Sequence, residues 1–363
     1  MIIISANLLN LCSNNILKCF TKIITSQNIS PMIKFILCAD THLGFDYPIN
    51  PRIDRRRRGK DFFRNFQKVL DFAVEEEADF VIHGGDFFFR SKLPEKIITI
   101  GYEMLLDFSK HNIPFILVPG NHERAQLPLS ILLNTKNILI FDKPRTFTFT
   151  KNKTTIQIHG FPFVRDSIKE HFGSIIHALM ANSSSEDIHI LCMHQIVRSA
   201  RLERYVFSHG ENVIPHKMIS LDLDFVISGH IHRAQIIQIK GLLKTVPVIY
   251  PGSIERTSFQ EQNEDKGFYV LECDKRNGTF TWNADFHSLP ARAMITLDLD
   301  LMNPDVSDVM HYLNEKITVM DKNAILRLIS YKPEIRERLT ASALREIASR
   351  TMNIELYPRM IRK

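Results

Sequence analysis

The sequence predicts an α/β sandwich followed by a small second α/β unit. Three observations carry that expectation. Continuous apolar runs alternate with helical patterns through the first half of the 363-residue chain. Strand-rich sequence then extends to about residue 285, and a compact βαβαβ pattern of about 70 residues closes the chain.

The elements follow in order. Residues 33–39, IKFILCA, make a continuous buried strand. Residues 61–77 carry apolar side chains at 62, 63, 66, 69, 70, 73 and 74, the spacing of one helical face. DFVIH (79–83) is a second buried strand. Residues 94–112 make a helix with Pro94 in its first turn, and PFILVPG (114–120) is a strand stopped by Pro-Gly. A short helix near 128–134 and a strand near 138–141 come next. TFTFT, the turn KNK and TTIQIHG then alternate as a hairpin over 146–159. A helix near 164–181 leads into the strands DIHILCMH (187–194) and LDFVISGH (223–230). After HSLPARAM (287–294) the pattern changes to strand, helix 304–317, strand, helix 340–351, strand. This divides the chain into a main domain at 32–288 and a small domain at 289–363. Residues 1–31 are apolar and Asn/Ser-rich, with no basic residue before Lys18, which argues against a secretory signal. Met32 is the expected natural start, with 1–31 a poorly ordered extension.

The bulk numbers exclude some classes. No run of about 18 apolar residues occurs, so no membrane span is expected. The formal charge of +6 favours an anionic partner only weakly. Five scattered cysteines without a CxxC fit buried, reduced thiols and a cytoplasmic protein.

The chemistry collects where strands stop. ILCADTHLG ends in Asp40-x-His42, and DFVIHGGDFF in Gly85-Asp86. FILVPGNHE ends in Gly120-Asn121-His122-Glu123, HILCMHQ in His194, and DFVISGHIH in Gly229-His230-x-His232. The carboxyl edge of an open α/β sheet is where ligands bind. Residues two apart in extended chain point the same way, so His230 and His232 can reach one site, as can Asp40 and His42. Glycines 85, 120 and 229 let the backbone turn and keep the floor clear. Each motif alone has a bland reading: Gly-Asp is a common turn, Asn-His another, and His194 alone could be a core histidine. Their joint order after five apolar strands favours metal. Asp, Asn and His without thiolates suit Mn, Fe or Zn, and the groups exceed what one ion needs. A carboxylate such as Asp86 can bridge two ions about 3.5–4 Å apart, as in two-metal phosphoester hydrolysis.

At these residues the sequence resembles the calcineurin-like metallophosphoesterase superfamily, and within it the SbcD-type DNA repair exonucleases of the meiotic-recombination-eleven nuclease family. ADTHLG, MHQ (193–195), GHIHRAQ, VIYPGSIERTSFQEQNEDKGFYVLE (248–272) and ARAMITLDLD carry the likeness, over roughly residues 32–300. GGDFFF and the Glu123 of GNHE depart from the usual family residues without removing a ligand. The resemblance implies a four-layer α/β/β/α sandwich with a small α+β capping domain, and metal-dependent DNA phosphodiesterase activity of exonuclease or endonuclease type. It implies one ion on Asp40, His42, Asp86 and His232, and a second on Asp86, Asn121, His194 and His230. His122 then faces the scissile phosphate as the acid for the leaving group. The implied cofactors are two divalent ions, Mn2+ first, with Mg2+, Fe2+ and Zn2+ as alternatives. DNA, a homodimer mate and an SMC-like ABC ATPase of the SbcC type are the implied partners. The short segment after the small domain weighs against the ATPase.

A water activated by such ions would attack directly, because no Ser/His/Asp triad or phosphate-cradling glycine loop is visible. The run PRIDRRRRGKDFFR (51–64) supplies Arg52, Arg55, Arg56, Arg57, Arg58 and Lys60 as candidate DNA-phosphate contacts, against the ordinary reading of a solvated loop. RSARLERY (198–205) is a second basic candidate, diluted by Glu203, and Phe45, Tyr47 and Phe87 to Phe89 can either meet bases or pack. The rival function is a phosphoesterase for a small nucleotide or ester, which shares every candidate ligand. A binding module that has lost its catalytic groups fits poorly, since none is missing.

Overall fold

The computed structural model describes residues 32–45, 59–123, 135–181, 184, 187–202, 205–242 and 244–358. The expected extension 1–31, Arg52 and Arg55 to Arg58, Tyr47 and the helix near 128–134 lie outside the described residues.

The predicted elements form where the apolar patterns put them. Strand β1 (Ile33–Cys38) is followed by helix α1 (Gly59–Glu75), β2 (Phe80–His83), α2 (Glu95–Ser109), β3 (Phe115–Leu117) and β4 (Ile138–Ile140). β1 to β4 pair in parallel in that order. The hairpin β5 (Arg145–Lys151) and β6 (Thr154–Gly160) turns on Asn152 and Lys153, both left-handed at φ 51° and 68°. That conformation at two consecutive residues matches the right-handed twist of the strands it joins.

Helix α3 spans Ile168–Leu179, later than the expected start at 164, and β7 spans Ile188–Met193. Four two-residue strands follow: β8 (Ile196–Val197), β9 (Arg201–Leu202), β10 (Tyr205–Val206) and β11 (Val213–Ile214). Then come β12 (Phe225–Ser228), β13 (Gln235–Lys240), β14 (Thr245–Tyr250), β15 (Lys266–Arg276) and β16 (Thr279–Leu289).

Two six-stranded sheets result, ordered β16-β15-β1-β2-β3-β4 and β13-β14-β12-β7-β6-β5. Burial periodicity decides their stacking. In β1, Phe35 and Leu37 meet Ile190, Phe225 and Ile227 of the second sheet, while Ile36 and Cys38 face Phe62, Phe66 and Val69 of α1. On the far side Leu191 and Val226 pack on Ile168 and Phe172 of α3. The four layers α/β/β/α follow, as the resemblance implied. β1, β2, β7 and β12 are buried along nearly their whole length because each is covered on both faces.

The C-terminal segment builds a sheet of its own. β17 (Met294–Asp298), β18 (Ile325–Ile329) and β19 (Asn353–Tyr357) are parallel. Helices α4 (Leu299–Met302), α5 (Val309–Thr318), α6 (Pro333–Arg338) and α7 (Ala341–Ile347) connect them over a separate core around Leu313, Leu326 and Leu344. α6 has no counterpart among the expected elements; Pro333 stands in its first turn, where its missing N–H needs no partner. Arg292 ties this unit to the sandwich, pairing with Asp61 of α1 and donating to the carbonyls of Asn323 and Thr351. The guanidinium of Arg327 lies 3.8 Å over the Phe259 ring. Cys38, Cys192 and Cys273 are buried free thiols. No described helix is long and apolar enough to cross a membrane.

Candidate metal centre

The carboxyl ends of β1, β2 and β3 in one sheet and of β7 and β12 in the other meet at a common rim. The Gly84 carbonyl joins the sheets there: it accepts from Gly229 N at 3.1 Å and from His194 Nδ1 at 2.8 Å. Around it the predicted residues converge into three overlapping trios: Asp40, His42 and His232; His42, Asp86 and His122; Asp86, His194 and His230. Within each trio the ligand atoms lie within 4.8 Å of one another. Asn121 joins the last group, its Oδ1 lying 3.0 Å from His194 Nε2 and 2.8 Å from His230 Nδ1.

The route to convergence differs from the extended-chain expectation. Asp40, His42, Asp86 and His230 all have left-handed backbone, with φ of 49°, 43°, 53° and 78°. The strands therefore end in tight turns, each a conformation costing about 1 kcal/mol or more for a non-glycine residue. In consequence His230 and His232 reach the same rim but stand in different trios. His232 Nε2 lies 2.9 Å from His42 Nε2, while His230 turns to Asn121 and the Asp86 group. Strain at this density is retained because main-chain bonds fix the turns, among them Asp40 N to Gly85 O at 2.8 Å and His42 N to Asp86 O at 3.0 Å.

Gly120 and Gly85 show why glycine occupies the floor. A Cβ at Gly120 would stand 2.2 Å from Asp86 Oδ1 and 2.4 Å from Asp86 N. At Gly85, which is left-handed at φ 109°, it would stand 2.3 Å from His194 Nδ1.

The donor set fits divalent cations. Asp40 Oδ2 is buried with no hydrogen-bond partner among the described residues, an orphan that a cation would satisfy. Burial pushes the Asp86 carboxyl up, but His194, His42 and His122 around it hold it well below the usual carboxylate range. Burial and His232 hold the His42 imidazole well below its ordinary value; burial and His194 take His230 down to about 3. An ionised carboxylate beside neutral imidazoles is the protonation state that binds metal, and Asp86, His42 and His230 meet it. Burial opposes charge on His194 and His232, but Asp86 and Asp40 raise His194 to about 9, and Glu261 and Asp40 raise His232, so a cation binding at those two rings displaces protons. The His194 Nδ1 proton goes to Gly84 O, which leaves Nε2 toward Asp86 Oδ2 at 3.4 Å.

His122 stands at the edge of the cluster. Its Nδ1 hydrogen-bonds the Phe89 carbonyl, and its Nε2 lies 3.7 Å from Asp86 Oδ2. Phe89 stacks edge-on to His42, and Phe163 lies beside both His194 and His230. Sequence reasoning missed Phe163, which follows an unremarkable strand end. It also missed the work of Glu123. Its buried carboxyl, pushed up to about 8 by burial and by Asp86, accepts from Phe88 N and Gly120 N at 2.7 Å each. It thereby clamps the loops that carry Asp86 and Asn121. His232 Nδ1, on the far side of its ring, lies 3.1 Å from Glu261, another residue the sequence did not single out.

The remaining candidates divide. Phe87 and Phe88 are core residues, and Phe45 stacks on Phe62. Lys60 is exposed on the first turn of α1, and Arg201 is exposed on β9.

Residues 33–234 match the family model of the calcineurin-like phosphoesterases. The DNA double-strand break repair protein Mre11 of Archaeoglobus fulgidus is 26% identical over 261 residues, covering 64% of this chain and 52% of that protein. The protein of the same name from Saccharolobus solfataricus is 29% identical over 174 residues, covering 46% and 42%. That of Methanococcus maripaludis is 24% identical over 346 residues, covering 91% and 84%. The chain thus spans about half the length of the first two relatives.

Proposed function

The chain belongs to the calcineurin-like phosphoesterase family, and on that premise we propose that it is a two-metal DNA phosphodiesterase. In this reading one ion is held by Asp40, His42, Asp86 and His232, and a second by Asp86, Asn121, His194 and His230. The segment 289–363 is a capping domain beside that centre. The carrying observation is the chain of three trios, the first two linked by His42 and the last two by Asp86, with ligand atoms within 4.8 Å in each. Similarity to proteins named for DNA double-strand break repair supports DNA as the substrate.

Bound there, two divalent ions would neutralise charge on a phosphodiester and make water acidic enough to attack it near neutral pH. The protein's own groups do the rest. Asp86, common to two trios, sets the separation of the two positions. His122 donates its Nδ1 proton to the Phe89 carbonyl, so its ring is oriented with Nε2 facing the site. Entering as the imidazolium, the ring gives its Nε2 proton to the departing oxygen, which leaves poorly as an alkoxide, and is left neutral with its Nδ1–H still donated to the Phe89 carbonyl. Phe89 packs beside His42, and Phe163 beside His194 and His230.

The test is digestion of end-labelled duplex and hairpin DNA with Mn2+ or Mg2+. Wild type should cleave, and His122→Ala should be slowed roughly 10²–10⁴-fold with Mn2+ affinity kept. Hydrolysis of bis-p-nitrophenyl phosphate with no DNA cleavage under either ion would favour the small-substrate phosphoesterase instead.

A further inference from the structure

We propose that Glu261 is a positioning residue for His232: its carboxylate accepts a hydrogen bond from Nδ1–H, fixes the tautomer that presents Nε2, and is itself aimed by the buried ammonium of Lys266. This rests on the metal centre proposed above and gives a role to the 248–272 block, which that centre leaves without one.

The geometry is specific. His232 Nε2 faces His42, so Nδ1 is the rear nitrogen, and Glu261 Oε1 lies 3.1 Å from it. The Thr257 hydroxyl lies 3.2 Å from the same nitrogen and also bonds Glu261 Oε1. Glu261 Oε2 is occupied by Lys266 Nζ at 2.7 Å and by the Ser253 hydroxyl at 3.2 Å. Lys266 has no solvent-exposed side-chain surface, and it also donates to the His232 carbonyl at 3.0 Å and pairs with Glu264 at 3.0 Å. One ammonium therefore grips both the backbone of His232 and the carboxylate behind its ring.

Charge gives the second argument. Burying an ammonium and two carboxylates is costly unless they are paired, and here Lys266 pairs with both Glu261 and Glu264. The Glu261 carboxylate lies directly behind an imidazole, where it strengthens that ring as an electron donor to a cation in front. The other candidate rings are held differently: His194 and His122 direct Nδ1 to backbone carbonyls, and His42 Nδ1 has no partner among the described residues. A carboxylate behind the ring is thus a feature of the His232 position.

The experiment is Mn2+ titration of the full chain by calorimetry and electron paramagnetic resonance, wild type against Glu261→Gln. Wild type should bind two ions. The variant should lose roughly 10–100-fold affinity at one site and keep the other. Unchanged affinity, or an equal loss at both sites as in general collapse, would overturn the proposal. If Glu261→Gln does not fold, wild type loaded with Zn2+ and labelled with ¹⁵N-histidine decides, with His232→Gln for assignment. Its Nδ1 should be protonated and its Nε2 ligating; the reverse overturns the proposal. Failure of wild type to bind any Mn2+ would instead remove the metal centre, and this inference with it.

Discussion

Gly120→Ala should damage the centre without altering any candidate ligand. Gly120 does not have a left-handed backbone, so alanine meets no conformational penalty there, and the effect is steric. The new Cβ would stand 2.4 Å from Asp86 N, about 1 Å short of the 3.4 Å at which ordinary contact begins. That neighbour is main chain and cannot rotate away; the closer one, Asp86 Oδ1 at 2.2 Å, is a candidate ligand atom. Glu123 clamps the same loop through Gly120 N, so the loop cannot simply lift. Overpacking of this size costs about 1–3 kcal/mol. A 1 Å displacement of Asp86 should cost on the order of 10²-fold in turnover. Because Asp86 belongs to two trios, both ions should bind more weakly. Calorimetric Mn2+ titration and thermal unfolding of the metal-free protein measure the two parts. Wild-type affinity at both sites with an unchanged melting temperature would refute the reasoning.

Two further outcomes concern stability. His159 is buried between Thr146 Oγ1 at 2.8 Å and His189 Nδ1 at 3.2 Å, and burial and His189 lower its imidazole from 6.5 to about 4. Its folded value lies below the unfolded one, so its contribution is complete above about pH 6.5 and is lost as pH falls towards 4. At pH 5 the loss is about 2 kcal/mol. Urea unfolding at pH 7.5 and 5.0 should show that much more acid sensitivity in wild type than in His159→Gln, and equal sensitivity would contradict the assignment. Arg292→Ala should cost about 1–3 kcal/mol, since it leaves the largely buried Asp61 carboxylate to Arg64 alone and frees the Asn323 and Thr351 carbonyls. Faster proteolytic cleavage between β16 and β17 should accompany it; an unchanged digest and melting temperature would exclude the strut.

The parts legible in the sequence were those fixed by local chemistry. Apolar runs such as ILC and FVIS need cover on both faces, so they announce central strands, and the polar residues that end them announce the rim. His230 and His232 were visible for that reason. Their division between two trios came only through the family resemblance, because it depends on the left-handed turn at His230, which the spacing of two histidines does not indicate. Glu261 was invisible for another reason. In QEQNEDK it is one acidic residue among several, and only the fold selects it by bringing β15 and its Lys266 against β12's exit. Glu123 shows the converse: a departure from a family pattern whose longer side chain spans two loops. Helix α6 was missed because six residues are too few for periodicity to register.

The most direct measurement is a Mn2+-soaked crystal structure with anomalous scattering at the metal edge. The account predicts two peaks at the rim, with Asp86 between them, Asp40, His42 and His232 around one, and Asn121, His194 and His230 around the other. A single peak, or ions bound away from Asp86, would contradict it.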